Sequence, residues 1–257
     1  FYPSFAVAQK EPTRSDFTDR YKFAADDTYP SSEKLYDWEL GYQYTAPRLS
    51  LGVNLYYMKY KDQLVPTGMV NDDSNALNTN VPDSYRRGVE LSASWRATGW
   101  FTVGANATFS QNRIENYVDA LKDSPTYGKE LSDMTIAYSP DVIANAFLNF
   151  HHRGFEAVFH TQHVGKQYFT NNENDALSLD AYCVTNLNLA YTFCTRSARS
   201  VRLGLLINNL FNAEYESNGY GYSYMDTWSG PAPVRIDEAY YFPQAPLNVL
   251  ANVTVKF

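Results

Sequence analysis

The sequence predicts an all-β fold, an antiparallel transmembrane β-barrel wall of about ten strands. Three observations carry this: apolar and polar residues alternate over long windows, the connections sort by length, and no apolar run approaches the ~18 residues of a membrane helix. Aromatic residues make up 16% of the 257 residues, 22 of them Tyr, while mean hydropathy is negative. A membrane barrel hides its apolar surface in every second residue, so a hydrophilic average is compatible with one. The net charge of −7 argues against a nucleic-acid partner.

The first strand, about 1–10, begins at Phe1 inside an alternating segment, with no initiator Met and no signal-peptide core. A barrel must be exported, so the chain is expected to be part of something longer. In the second strand, about 35–45, Trp38, Tyr42 and Tyr44 share one face. The third, about 49–62, sets Leu49, Leu51, Val53, Leu55 and Tyr57 against Ser50, Gly52, Asn54 and Tyr56. The fourth, about 85–97, sets Val89, Leu91, Ala93 and Trp95 against Glu90, Ser92, Ser94 and Arg96. The fifth, about 100–113, sets Phe101, Val103, Ala105, Ala107 and Phe109 against Thr102, Gly104, Asn106, Thr108 and Ser110. Strands follow at about 138–151, 154–168, 181–195 (with Tyr191 and Phe193 on one face) and 200–212. The last, about 241–257, puts Leu247, Val249, Ala251, Val253, Val255 and Phe257 on one face, with Leu250 breaking the pattern on the other.

Short turns at 45–48, 97–99, 151–154 and 195–200 alternate with long polar connections at 11–34, 63–84, 114–137, 169–180 and 213–240. That is the outer-membrane arrangement, short turns periplasmic and long loops extracellular. Strands of ten or more residues also exceed the usual soluble length of about five or six. Aromatics near the turns, such as Trp95 and Phe101, suit the headgroup level of a bilayer.

No catalytic or metal constellation survives this geometry, and no enzyme, cofactor or metal is expected. His160 and His163 have helix-like metal spacing, but on a strand residues three apart face opposite sides. His151 and His152 point apart in a turn, and Gly165-Lys166 lacks the rest of a phosphate loop. Cys183 and Cys194 lie about 36 Å apart on one strand at ~3.3 Å per residue, too far to bridge. Asn106 and Asn252 begin glycosylation-like triplets inside strands, and the pairs Asp26-Asp27 and Asp72-Asp73 read as solvated loop charge. Ligand contact falls on the loops. Tyr220, Tyr222 and Tyr224 alternate and Trp228 follows, offering rings that would stack on a macrocycle, sugar or aryl group, with Arg235 the nearest cation. The same rings equally suit two strands extended above the membrane.

Several stretches resemble the TonB-dependent outer-membrane receptors. Ile207-Asn208-Asn209-Leu210-Phe211-Asn212 with Tyr215 looks like that family's late "NNLFN…Y" signature, and Glu11-Pro12-Thr13-Arg14 with Asp16 is similar to its "R-x-P-T" junction. Ser32-Glu33-Lys34-Leu35-Tyr36 with Glu39-Leu40-Gly41-Tyr42 resembles "PEK…YELGY", with Ser32 where Pro is usual. Tyr57–Leu64, Asn80–Arg86, Tyr241-Phe242-Pro243-Gln244 and terminal Phe257 complete an ordered set over nearly the whole chain. The resemblance implies that residues 1–257 are the C-terminal part of a plugged barrel of about 22 strands, with the plug and about twelve strands outside this chain. Those parts would come from the same protein or a companion chain, and TonB would be contacted through the absent N-terminal part. The resemblance further implies outer-membrane lipid and the barrel-assembly machinery as partners, with Phe257 as the assembly signal. Glu11, Arg14, Asn208 and Asn209 take structural roles at loop bases. The implied activity is import of a ferric chelate, haem or cobalamin. The alternatives are an oligosaccharide or peptide importer with a surface-lipoprotein lid, or a passive porin.

Overall fold

The computed structural model describes residues 1–18, 29–70, 76–121 and 126–257. Long alternating windows become long strands. β1 (Tyr2–Lys10) is followed by a short helix α1 (Arg14–Thr18), then β2 (Glu33–Thr45), β3 (Leu49–Val70), β4 (Ala76–Arg96) and β5 (Phe101–Val118). Next come β6 (Glu130–Thr135), β7 (Val142–His152), β8 (Phe155–Val164), β9 (Gln167–Tyr168), a 3-10 turn at Asp175–Leu177, and β10 (Ser178–Leu179). β11 (Tyr182–Phe193), β12 (Ser200–Asn208), β13 (Glu216–Asp226), β14 (Val234–Pro243) and β15 (Asn248–Lys256) complete the chain. Ten strands form one antiparallel path, β1-β2-β3-β4-β5-β7-β8-β11-β12-β15, the number the alternation predicts. Its two edges, β1 and β15, do not meet, so the barrel is not closed. Between β7 and β8 the chain turns on Arg153 and Gly154 alone, at φ 46° and 82°, the backbone of a type I′ hairpin. A Cβ on Gly154 would lie 2.3 Å from the Thr192 carbonyl oxygen, so glycine is required there.

The register stacks like with like. Leu51 faces Ala93, Val53 faces Leu91 and Leu55 faces Val89 across β3 and β4, and Leu91 faces Ala107 across β4 and β5. These residues form an apolar face left open, with Leu55 49% and Val253 66% exposed. The opposite face is hydrophilic: Asn54 Nδ2 donates to Glu39 and to Glu90, each at 3.3 Å. The buried apolar clusters lie instead at the long-loop end. Val65, Val81, Ile114, Tyr117 and Ile136 form one, and Phe169, Leu177 and Leu179 form the other. Each large aliphatic side chain left in water forgoes roughly 1.5–3 kcal/mol of burial, so a wall tens of residues wide needs an apolar solvent.

The long connections carry more structure than expected, among them α1 in 11–34 and β10 in 169–180. Residues 63–70 and 76–84 continue β3 and β4 upward. Pro66 stands where the register shifts, and Pro82 lies beside the unpaired Asp62 at φ 55°, so neither breaks a regular ladder. Residues 114–118 extend β5, and Glu130–Thr135 form β6, which pairs with it from Arg113 to Val118. Residues 213–240 contain the hairpin β13–β14, and residues 241–243 belong to β14, so the last wall strand starts at Asn248. Residues 138–141 precede β7 rather than belonging to it, because Tyr138 is at φ 56° and Pro140 lacks an N–H. Cys183 and Cys194 are free thiols. Asp26-Asp27 and Asp72-Asp73 lie outside the described residues.

Candidate functional site

The hairpin β13–β14 has two unlike faces, set by its register. Gly219 faces Tyr241, Gly221 faces Ala239 and Ser223 faces Asp237, while Tyr220 faces Tyr240, Tyr222 faces Glu238 and Tyr224 faces Ile236. The glycine face packs down. A Cβ at Gly221 would sit 2.8 Å from Leu177 Cδ2, and one at Gly219 would sit 2.7 Å from Phe169 Cζ. Two bare positions thus let the backbone seat on the Phe169–Leu177–Leu179 cluster, with Ala239 packed against it. The hairpin, anchored between β12 and β15, also touches β3 far along the sheet. The loop after β9 follows the same course, since Asn171 Nδ2 donates to the Pro66 carbonyl at 2.6 Å.

The tyrosine face is turned outward. Tyr220 stacks on Tyr240 at 5.0 Å between ring centroids, and Tyr240 stacks on Tyr222 at 6.2 Å. Glu238, which the sequence did not single out, organises this row. Tyr222 and Tyr240 donate to its Oε2 at 2.8 Å each, and Tyr224 donates to Oε1 at 3.1 Å. These hydroxyls hold the carboxyl below the usual carboxylate range. Arg235 is not part of this face. It lies across from Met225 and pairs with Asp237 at 3.0 Å while donating to Ser223 Oγ at 3.1 Å. Trp228 stands at the hairpin tip, 79% exposed, where Asp226 Oδ1 accepts the Trp228 and Ser229 amides. The face therefore offers a ring stack, a hydrogen-bonded carboxylate and no guanidinium.

At the loop bases, Glu11 accepts from Gln9 Nε2 at 2.6 Å and from the Ser32 hydroxyl, joining the two ends of the first long loop. Those two donors lower its pKa. Arg14 begins α1, and only its backbone carbonyl has a partner among the described residues, the Thr18 hydroxyl. Asn208 Nδ2 donates to Asn248 Oδ1 across the sheet at 2.9 Å. Asn209 is buried at φ 51° and works as a latch: its Oδ1 accepts the Ala213 amide at 2.8 Å and its Nδ2 donates to the Ala213 carbonyl at 2.9 Å. Its own amide is taken by Asn186 Oδ1 of β11, at 2.9 Å, a partner no local pattern reveals. Tyr215 stacks on Tyr182 at 4.7 Å, and its carbonyl accepts the Gln244 amide. Phe257 follows β15 at the short-turn end, 93% exposed. His160 faces Asn186 and His163 faces Cys183, on opposite sides of the sheet.

Residues 4–210 match a family model described as TonB dependent receptor-like, beta-barrel. No curated protein matches the sequence. Among solved structures the chain is similar to the ferric yersiniabactin uptake receptor FyuA from Yersinia pestis, with TM-score 0.64 and 19% identity over 99% of this chain and 34% of that one. It is similar to the copper transporter OprC, with TM-score 0.70 and 19% identity over 99% of this chain and 37% of that one. It is also similar to the ferric-catecholate import receptor Fiu from E. coli K12, with TM-score 0.65 and 17% identity over 98% of this chain and 32% of that one. At these identities the likeness is one of fold. The chain spans about a third of the length of these structures.

Proposed function

The chain belongs to the TonB-dependent receptor-like β-barrel family, and from that premise we propose that it forms part of an outer-membrane receptor which binds a scarce nutrient at its extracellular loops and imports it using TonB. The observation that carries this reading is a family wall whose long-loop end is built into a structured surface. Dimensions support the membrane placement. The outward residues Leu49, Leu51, Val53, Leu55 and Tyr57 of β3 cover about 26 Å at ~3.3 Å per residue, which a strand tilt of about 40° turns into about 20 Å of height, most of the ~25 Å apolar band of an outer membrane, before Lys59 begins the polar end. The remainder of the receptor would supply an N-terminal plug, about twelve strands and the TonB contact. Phe257, on the short-turn rim, would be read by the barrel-assembly machinery.

The proposed cargo is a ferric chelate, haem or cobalamin, in keeping with metal-carrying fold relatives. A strain lacking the full-length protein should grow normally in rich medium and fail on its cognate chelate as sole iron source. Uptake should also stop when TonB is removed. Passive uptake that survives loss of TonB would instead identify a porin. A second reading, import of an oligosaccharide under a surface-lipoprotein lid, draws on the hairpin face. Stacked rings beside a carboxylate acceptor, with Arg235 turned away, suit a hydroxyl-rich ligand better than an anionic one. A growth defect on glycans with normal chelate uptake would select that reading.

A further inference from the structure

The outward face of β13–β14 carries a continuous row of rings. Phe242, Tyr220, Tyr240, Tyr222 and Tyr224 follow one another across and along the two strands, with successive centroids 6.1, 5.0, 6.2 and 6.3 Å apart. In the middle of the row Tyr220 and Tyr240 lie nearly parallel, at 13°. Toward the ends the rings splay, by 39° between Phe242 and Tyr220 and by 33° between Tyr222 and Tyr224, which leaves part of their π-faces open. Phe242, Tyr220 and Tyr240 are exposed to solvent. The face of an aromatic ring is the negative pole of its quadrupole, so the row presents negative potential outward.

The charge set among the rings has the same sign. Glu238 accepts the hydroxyls of Tyr222, Tyr240 and Tyr224, and these neutral donors keep it ionised without cancelling its charge. Phenols that donate to a carboxylate are polarised by it, which makes their rings richer in electron density. Glu238 has no cationic partner among the described residues. Arg235 is the one cation in residues 213–240, against five carboxylates, and the register turns it to the other face, where Asp237 takes it.

We propose that this face receives an organic cation, a quaternary ammonium or protonated amine exposed on the cargo, held over the open ring faces with Glu238 as its countercharge. Charge complementarity selects this class. An anionic chelate would meet a carboxylate with no guanidinium to offset it, and a neutral aryl group or sugar would use the rings and leave Glu238 unanswered. A bare metal ion demands several oxygen ligands at fixed places, whereas an alkylated ammonium gives up water readily and is attracted by π-faces within about 6 Å of their centroids. The inference rests on the hairpin as a cargo surface and narrows that reading: a ferric chelate taken up here carries a positive amine.

The test is saturation-transfer NMR of small probes on the full-length protein in detergent, using choline and its neutral carbon isostere dimethylbutanol. The wild type should bind choline about tenfold more tightly than the isostere. Glu238→Gln, which removes the charge and keeps a hydrogen-bond acceptor, should bring choline down to the level of the isostere. Tyr220→Leu should weaken both probes, and Glu214→Gln, the same loss of charge elsewhere on the loop, should change neither. Heat-modifiable migration on gels reports that each variant is a folded barrel. Equal binding of the two probes by the wild type, or an undiminished preference in Glu238→Gln, would overturn the cationic class and leave TonB-driven import standing. Cargo uptake that continues without TonB while the choline preference persists would overturn the import reading and leave the site standing.

Discussion

The Glu238 carboxylate collects hydroxyls from Tyr222 and Tyr224 on the facing strand and from Tyr240 on its own. Because its pKa is lowered by those donors, it favours the assembled face above the ordinary carboxylate value of about 4.3. That contribution is lost as pH falls through the lower folded value. The ring face should therefore stay unchanged between pH 8 and 5 and loosen only in stronger acid. Amide hydrogen exchange of residues 218–240 checks this: protection should fall in acid in the wild type and be lower and less pH-dependent in Glu238→Gln, where only the lowered carboxyls of Asp226 and Asp237 still titrate. Identical acid profiles in the two proteins would refute the role given to Glu238. Solvent exposure keeps the effect to a few-fold change. The alternation of Tyr220, Tyr222 and Tyr224 was legible in the sequence, but their acceptor was not. Which β14 residue meets Tyr222 depends on the irregularity between Glu216 and Asn218, and that same register sends Arg235 to the other face. Asn209 divides likewise: its local motif marks a loop base, while its partner Asn186 comes from another strand.

At the scale of the element, long-range alternation gave the wall strands because each has one face for lipid and one for the lumen. The extensions above the wall were hidden, since there both faces meet protein and the period-2 contrast fades. Pro66 and Pro82 read as loop residues, yet each occupies an irregular point in the β3–β4 pairing. The docking of β13–β14 was hidden for a different reason: it depends on glycines whose contribution is the absence of a side chain. Gly221→Val would place a Cβ against Leu177 and Phe169 at 2.8 and 3.0 Å. The cluster has little room to yield, so the hairpin should lift from it at a cost of about 1–3 kcal/mol. Limited chymotrypsin digestion of the full-length variant should then cut between Tyr220 and Trp228 faster than in the wild type, with heat-modifiable migration of the barrel unchanged. Unchanged cleavage would mean that the hairpin is held elsewhere.

For the molecule as a whole, the two edge strands set a limit that no internal contact relieves. Every residue of β1 is exposed, as is nearly all of β15, and each strand presents one unpaired row of backbone N–H and C=O groups. In water such an edge invites aggregation; in hydrocarbon each unsatisfied group costs several kcal/mol. An open sheet is therefore not a stable way to cross a bilayer, however well its face matches the lipid. Closing β1 onto β15 would satisfy the edges, but ten strands would enclose only a narrow lumen, whereas plugged lumens belong to barrels of about 22 strands. Residues 1–257 refolded alone into detergent should accordingly give aggregates and no heat-modifiable band, while the full-length protein under the same conditions should give one. A stable, monomeric ten-stranded barrel formed by this segment alone would show instead that its edges are built to meet each other, and would remove the need for partner strands.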